Sequence, residues 1–96
     1  MALTEFNVVG TGQLLIFVHG VGLSRRMWCP VVDELQQGFT CVTFDLLGHG
    51  QAPDIEGTPS IQTFTKRLLN IVETFQPLKP ILIGFSLGAL VVKRFV

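Results

Sequence analysis

The stretch Ile81-Leu82-Ile83-Gly84-Phe85-Ser86-Leu87-Gly88-Ala89-Leu90 decides the fold of this chain. It opens on a short continuous apolar run, which suits a strand over 81–85 buried on both faces. It continues into Leu87 to Val96, which reads as a helix. Between the two lies Gly84-Phe85-Ser86-Leu87-Gly88, the Gly-x-Ser-x-Gly pattern of a nucleophile elbow. A turn from strand directly into helix is so sharp that Ser86 must adopt strained backbone angles. Gly84 and Gly88 leave room where a side chain would meet the neighbouring strand or helix. The turn lifts the Ser86 hydroxyl above the sheet edge, at a helix N-terminus where N–H groups are unpaired and the dipole favours negative charge. A tetrahedral intermediate carries such a charge on its former carbonyl oxygen, and the Leu87 N–H is the first expected donor to it. The bland alternative is a glycine-rich turn with a capping serine; the strand-and-helix setting favours the elbow.

Working outward, the chain alternates strands and helices. Phe6 to Val9 reads as a short strand closed by Gly10-Thr11-Gly12, and Leu14 to Val18 as a buried strand bounded by glycines. A helix follows near Trp28 to Gln37, with Trp28, Val31 or Val32, and Leu35 at helical spacing, Pro30 in its first turn and Gly38 at its end. Thr40 to Phe44 is β-branched and aromatic, a second buried strand. Asp45 to Pro59 is rich in turn residues. Thr58 or Ser60 caps the next helix, with Pro59 at a permitted position. Ile61, Phe64, Leu68, Ile71 or Val72, and Phe75 form its apolar face, and Pro77 and Pro80 break it. The order predicts an α/β fold: a mostly parallel sheet with flanking helices and right-handed crossovers.

Ligands of open α/β sheets bind beyond the carboxyl ends of the strands. Unusual residues gather there three times: His19-Gly20-Val21-Gly22, Asp45-Leu46-Leu47-Gly48-His49-Gly50, and the elbow. Six of the ten glycines sit in these motifs, which marks tight backbone along one sheet edge.

Composition bounds the function. The chain has 96 residues, 48% of them hydrophobic, and seven basic residues balance seven acidic ones. That composition is not one of disorder. The balance leaves no electrostatic footprint for nucleic acid or an anionic membrane surface. The longest apolar-rich stretch, Pro80 to Val92, is shorter than the roughly 18 residues a bilayer span needs. Cys29 and Cys41 make neither a disulfide framework nor a metal spacing, and both are expected to be small buried hydrophobes. Met1 to Asn7 lacks the basic and apolar regions of a signal peptide. A reduced, cytoplasmic setting is expected, with no metal and no organic cofactor. Length allows one domain with a small core.

The three motifs together resemble the N-terminal portion of the α/β-hydrolase fold, from Leu14 to Val96. His19-Gly20 resembles the family's His-Gly motif, where the next residue supplies the second oxyanion N–H; that residue is Val21. Asp45 to Gly50 resembles the Asp-x-x-Gly-x-Gly turn, with Gly48 and Gly50 in place. Ala52 stands where members often carry serine, which weakens a local turn bond but touches no catalytic role. Serine at the nucleophile position argues, by resemblance, against the epoxide-hydrolase and haloalkane-dehalogenase branches. It favours a small ester, thioester, lactone or related acyl substrate, attacked by Ser86 through an acyl-enzyme.

The resemblance implies the order Ser, then Asp or Glu, then His. No acid and no histidine follows Ser86. Residues 1–96 are therefore expected to be a partial domain without cap, triad acid or triad histidine, and inactive by themselves. His19 is expected to brace the oxyanion loop, His49 to serve the turn, and Asp45 to accept hydrogen bonds at a strand end. Trp28 is expected in the core or in a pocket wall. Arg25-Arg26 and Lys93-Arg94 are expected on solvated faces. Two other readings compete. Gly20-Val21-Gly22 with Asp45 resembles a dinucleotide-binding unit, but Arg25 stands at its third glycine position and the elbow goes unexplained. A non-catalytic fragment, or a binding protein on the same fold, is the other.

Overall fold

The structure is a computed structural model that describes residues 6–54, 57 and 60–96. The start of the chain at Met1, and Thr58 and Pro59 before the long helix, lie outside the described residues. Among the described residues, four strands, β1 (Phe6–Val9), β2 (Gln13–Val18), β3 (Phe39–Phe44) and β4 (Ile81–Gly84), form one sheet in the order β1-β3-β2-β4. β2, β3 and β4 run parallel, while β1 pairs antiparallel with β3. Three α-helices among the described residues flank the sheet: α1 (Cys29–Leu35), α2 (Ile61–Thr74) and α3 (Leu87–Phe95). The architecture is the mixed α/β sheet expected from the alternation of elements.

β2 shows why a continuous apolar run is needed in a parallel sheet. Side chains alternate across a strand, and here both faces are covered. Leu14, Ile16 and Val18 join Val42, Phe44, Leu46, Phe64, Leu68, Ile71, Val72 and Val91 on the α2–α3 side. Leu15 and Phe17 join Trp28, Val32 and Cys41 on the α1 side, where the Phe17 and Trp28 rings lie 5.0 Å apart. Of the two valines left open in α1, Val32 is the buried one and Val31 is exposed. α2 buries Phe64, Leu68, Ile71 and Val72, one stripe at helical spacing. Ser60 is its cap, accepting the Thr63 N–H at 3.2 Å.

Local readings need correction at three places. The helix after β2 begins earlier, as a 3-10 turn over Arg25–Trp28 that leads into α1, because Ser24 Oγ takes the Arg26 N–H and starts the winding there. Cys29 is exposed, whereas Cys41 is buried. Trp28, Val32 and Leu35 occupy the inward stripe, and Cys29 falls one position off it. β4 stops at Gly84 and is only half-buried, since among the described residues it pairs with β2 alone. Ile81, Phe85 and Leu90 are correspondingly exposed.

The close contact that shapes the functional edge is between α3 and β2. A methyl group on Gly88 would overlap the Val18 carbonyl, and one on Gly84 would lie 2.5 Å from the Gly88 carbonyl carbon. Both obstacles are backbone, so neither can swing aside. Gly88→Ala should therefore destabilise the fold by about 1–3 kcal/mol or more. Gly38→Ala meets nothing within 4 Å and should be neutral or stabilising by about 0.4–1 kcal/mol. Denaturant unfolding of the two variants checks the contrast, and equal effects would remove the packing explanation.

Candidate active site

Ser86 lies between β4 and α3 with φ 56° and ψ −117°, and among the described residues no other non-glycine has a positive φ. Such a conformation costs of order 1–3 kcal/mol and persists only where the surroundings over-determine it. Those surroundings are the Phe85 N–H on the Val18 carbonyl at 3.1 Å, the Gly88 N–H on the Phe85 carbonyl at 2.9 Å, and the glycine contacts above. The Ser86 carbonyl already accepts from the N–H groups of Ala89 and Leu90. Its side chain does something different from those of the other cap-position serines. Ser60 and Ser24 each accept a backbone N–H, but the Ser86 side chain makes no cap bond and the residue is exposed. The capping-serine alternative therefore does not describe this turn. Leu87 is the first residue of α3, and its N–H has no intrahelical acceptor.

The segment after β2 approaches this tip. A methyl group on Gly20 would lie 3.3 Å from Ser86 Cβ and 3.1 Å from the Phe85 ring. Gly20 to Leu23 forms a turn closed by the Leu23 N–H on the Gly20 carbonyl at 3.2 Å. Gly22 has φ 74°, the positive angle that the third position of a type II turn requires. Val21, at the second position, is 67% exposed, and closure of such a turn does not use its N–H.

His19 is fully buried and binds backbone at both nitrogens. Nδ1 lies 2.7 Å from the Gly20 carbonyl, and Nε2 accepts the Leu46 N–H at 3.0 Å. Because Nε2 accepts, the ring is neutral with its proton on Nδ1. Burial lowers its pKa, the Gly20 bond opposes that, and nearby His49 adds to the lowering. The His49 ring lies tilted against that of His19, with centroids 5.1 Å apart, and meets Phe64 edge-on, with Nδ1 3.0 Å from the Leu47 carbonyl. Among the described residues, no hydrogen bond joins Ser86 to either ring.

Asp45 is 1% exposed. Oδ1 accepts the Arg25 N–H at 2.7 Å. Oδ2 accepts Arg25 Nε at 3.0 Å and the Gln51 N–H at 2.9 Å, and lies 3.0 Å from Arg25 Nη2. Gly50 packs so close that a methyl group there would lie 2.5 Å from the carboxyl. Burial alone would raise the Asp45 pKa, but the Arg25 and Gln51 N–H bonds and the guanidinium outweigh it and hold the carboxyl below its usual range. Arg25 is thus buried, not on a solvated face as expected; Arg26 beside it is exposed. No local pattern separates the two arginines, because the partner that buries Arg25 is 20 residues away. The Asp45 carboxylate is buried and tied to Arg25 and Gln51, so the dinucleotide reading has no exposed ribose acceptor there. Among the described residues, no group of three or more His, Cys, Asp or Glu could hold a metal, and no helix is long and apolar enough to cross a membrane.

Comparisons with known proteins bear on the family and the fold. Residues 15–95 match the sequence profile of the Alpha/beta hydrolase family. The chain is similar to 3-oxoadipate enol-lactonase 1 of Acinetobacter baylyi, 33% identical over 86 residues, covering 90% of this chain and 32% of that protein. It is also similar to (E)-2-((N-methylformamido)methylene)succinate hydrolase of the same organism, 29% identical over 83 residues, covering 85% and 31%. Among solved structures, a thermophilic esterase from Thermogutta terrifontis superposes with a TM-score of 0.87 at 31% identity, covering 94% of this chain and 34% of the esterase. The chain spans between about a quarter and a third of the length of such curated relatives.

The buried neutral His19 makes a pH prediction. Its folded pKa lies below the unfolded value of about 6.5, so the unfolded chain binds a proton that the folded chain refuses. Stability is then fully present above about pH 7 and is lost as pH falls through 6.5 toward the folded pKa. His19→Asn should flatten this dependence by up to one proton. Unfolding free energies measured between about pH 7.5 and 5 check it, and an equally steep slope in the variant would assign the dependence elsewhere.

Proposed function

The chain belongs to the Alpha/beta hydrolase family, and on that premise we propose that it carries the nucleophile and oxyanion donors of a serine hydrolase. The substrate is a small ester, thioester, lactone or related acyl compound. The observation that carries the reading is Ser86: strained, exposed, and uncommitted to capping at the head of α3. Structure of that cost is retained where an unhindered hydroxyl is needed. The named hydrolases, esterase and lactonase among the relatives support the same class.

In this reading Ser86 Oγ attacks the acyl carbon while a general base takes its proton. The carbonyl π pair moves onto oxygen, and the resulting oxyanion accepts from the Val21 and Leu87 N–H groups. Collapse expels the leaving alkoxide, thiolate or ring oxygen, which takes the proton back from the base. Water then attacks the acyl-enzyme by the same route and restores Ser86. The base and its orienting acid come from outside residues 1–96. His19 is bonded to backbone at both nitrogens, and no acid or histidine follows Ser86. The chemistry asks for no metal or organic cofactor, and the reading places the enzyme in the cytoplasm, acting on neither nucleic acid nor membrane.

A fluorophosphonate probe on the full-length protein tests the nucleophile. Labelling should map to Ser86 and vanish in Ser86→Ala with little change in thermal stability; a labelled alanine variant would refute the assignment. Residues 1–96 alone should hydrolyse p-nitrophenyl acetate no faster than their own Ser86→Ala control.

Val21→Pro gives a sharper test of the oxyanion loop. The second position of a type II turn favours proline, so the substitution removes the N–H and keeps the turn. Full-length Val21→Pro should stay folded and lose about 10²–10³ in kcat. Unchanged kcat in the folded variant would mean that Val21 is not a donor.

A further inference from the structure

We infer that Arg25 and Asp45 are the positioning pair for the Val21 amide, with their buried ion pair holding the oxyanion loop against the elbow. The inference rests on Val21 being an oxyanion donor. It begins with how the loop is held. Val21, Gly22 and Leu23 are exposed, and the turn they form is closed by one backbone bond. Such a loop takes its geometry from its ends. Both ends are tied to adjacent residues just beyond β3. At the near end the His19 ring reaches from the Gly20 carbonyl to the Leu46 N–H. At the far end the Arg25 N–H and guanidinium grip the Asp45 carboxylate. Residues 45 and 46 therefore act as a common footing, and the distance between the loop's two ends is set by the backbone of one short segment.

The far anchor is built for rigidity. Asp45 Oδ1 accepts from Arg25 N, Oδ2 accepts from Arg25 Nε and Gln51 N, and Arg25 Nη2 is ion-paired with Oδ2 at 3.0 Å, so both carboxylate oxygens are held. Arg25 Nη1 extends the grip to Asn7 Oδ1 on β1 at 2.8 Å. The Arg67 Nε donates to the Asp45 carbonyl at 2.9 Å, which adds α2 to the footing. A planar fork can make these bonds together, whereas a lysine ammonium is a single point charge. A pair this buried is also little screened by salt. A role confined to stability would need no convergence on the loop that faces Ser86; here the same carboxylate accepts the backbone N–H that ends that loop.

The test uses the full-length protein, p-nitrophenyl acetate, and the variants Arg25→Lys and Asp45→Asn, assayed well below each variant's own melting temperature. The expected result is a fall in kcat of about 10- to 10²-fold, the size that a misplaced catalytic group produces, with KM within about two-fold. Val21→Pro should cost less in the Arg25→Lys background than in the wild type, because the donor is already displaced. Amide exchange at Leu23, whose N–H closes the turn, should quicken while β2 and β3 keep their protection. Unchanged kcat in folded variants, additive effects with Val21→Pro, or unchanged loop exchange would each overturn the inference. Arg25→Lys keeps the charge, so it carries the test if Asp45→Asn does not fold. A wild-type protein without Ser86-dependent turnover would fail the hydrolase reading and with it the oxyanion role. The exchange measurement would then report on the anchoring alone.

Discussion

The first turn of α3 lies so close to the end of β2 that only a glycine fits at position 88 against the Val18 carbonyl. That approach sets the path of the chain between β4 and α3. The strand arrives paired with β2, and the helix must leave over β2 at backbone contact distance. The residue between them absorbs the change of direction, and Ser86 does so at φ 56°. The strain is local, but its support is not. It comes from β2, from β4 and from the α3 core residue Val91, packed with Val18, Ile16 and Leu68. The serine is exposed for the same reason: a residue at the outside of so tight a corner has no room to fold its side chain back onto the helix.

Around the corner the protein places charge with care. Asp45 and His19 are both buried, and a buried ionised group is costly unless it is paired and hydrogen-bonded. The two meet this cost differently. His19 stays neutral and uses both nitrogens on backbone. Asp45 stays charged and collects the Arg25 guanidinium with two backbone N–H groups. Each joins the loop after β2 to the segment after β3, so two parallel strands that share a sheet also share their ends.

The two faces of the sheet are unequal. α2 and α3 cover one with a continuous cluster, and α1 covers the other with a smaller one around Phe17 and Trp28. β4 carries the elbow and has a partner on one side only among the described residues. In the relatives, a chain of this length is about a quarter to a third of the protein. The groups that would activate Ser86 and shape its substrate pocket belong, in the proposed reading, to the remainder.

Much of this was legible in the residues. β2 announces itself as an apolar run between glycines, β3 as a β-branched and aromatic run, and α2 as a stripe from Phe64 to Val72 behind a serine cap, because period and capping are local properties. The elbow is legible for the same reason, since Gly84 and Gly88 bracket Ser86 within one turn. The fates of Arg25, Cys29 and β1 were not. Arg25 and Arg26 are neighbours of one type, yet one is buried and the other exposed; the difference is Asp45, brought alongside only when β2 and β3 pair. Cys29 is turned outward by an early 3-10 start that depends on Ser24. β1 runs antiparallel beside β3 instead of next to β2, an arrangement that no alternation pattern encodes. The sequence by itself determined which segments are strands and helices and where the sharp strand-to-helix turn at Ser86 falls. Strand order, the anchoring of the loop by Arg25 and Asp45, and the neutrality of His19 were decided by tertiary structure, because each depends on groups distant along the chain meeting out of water.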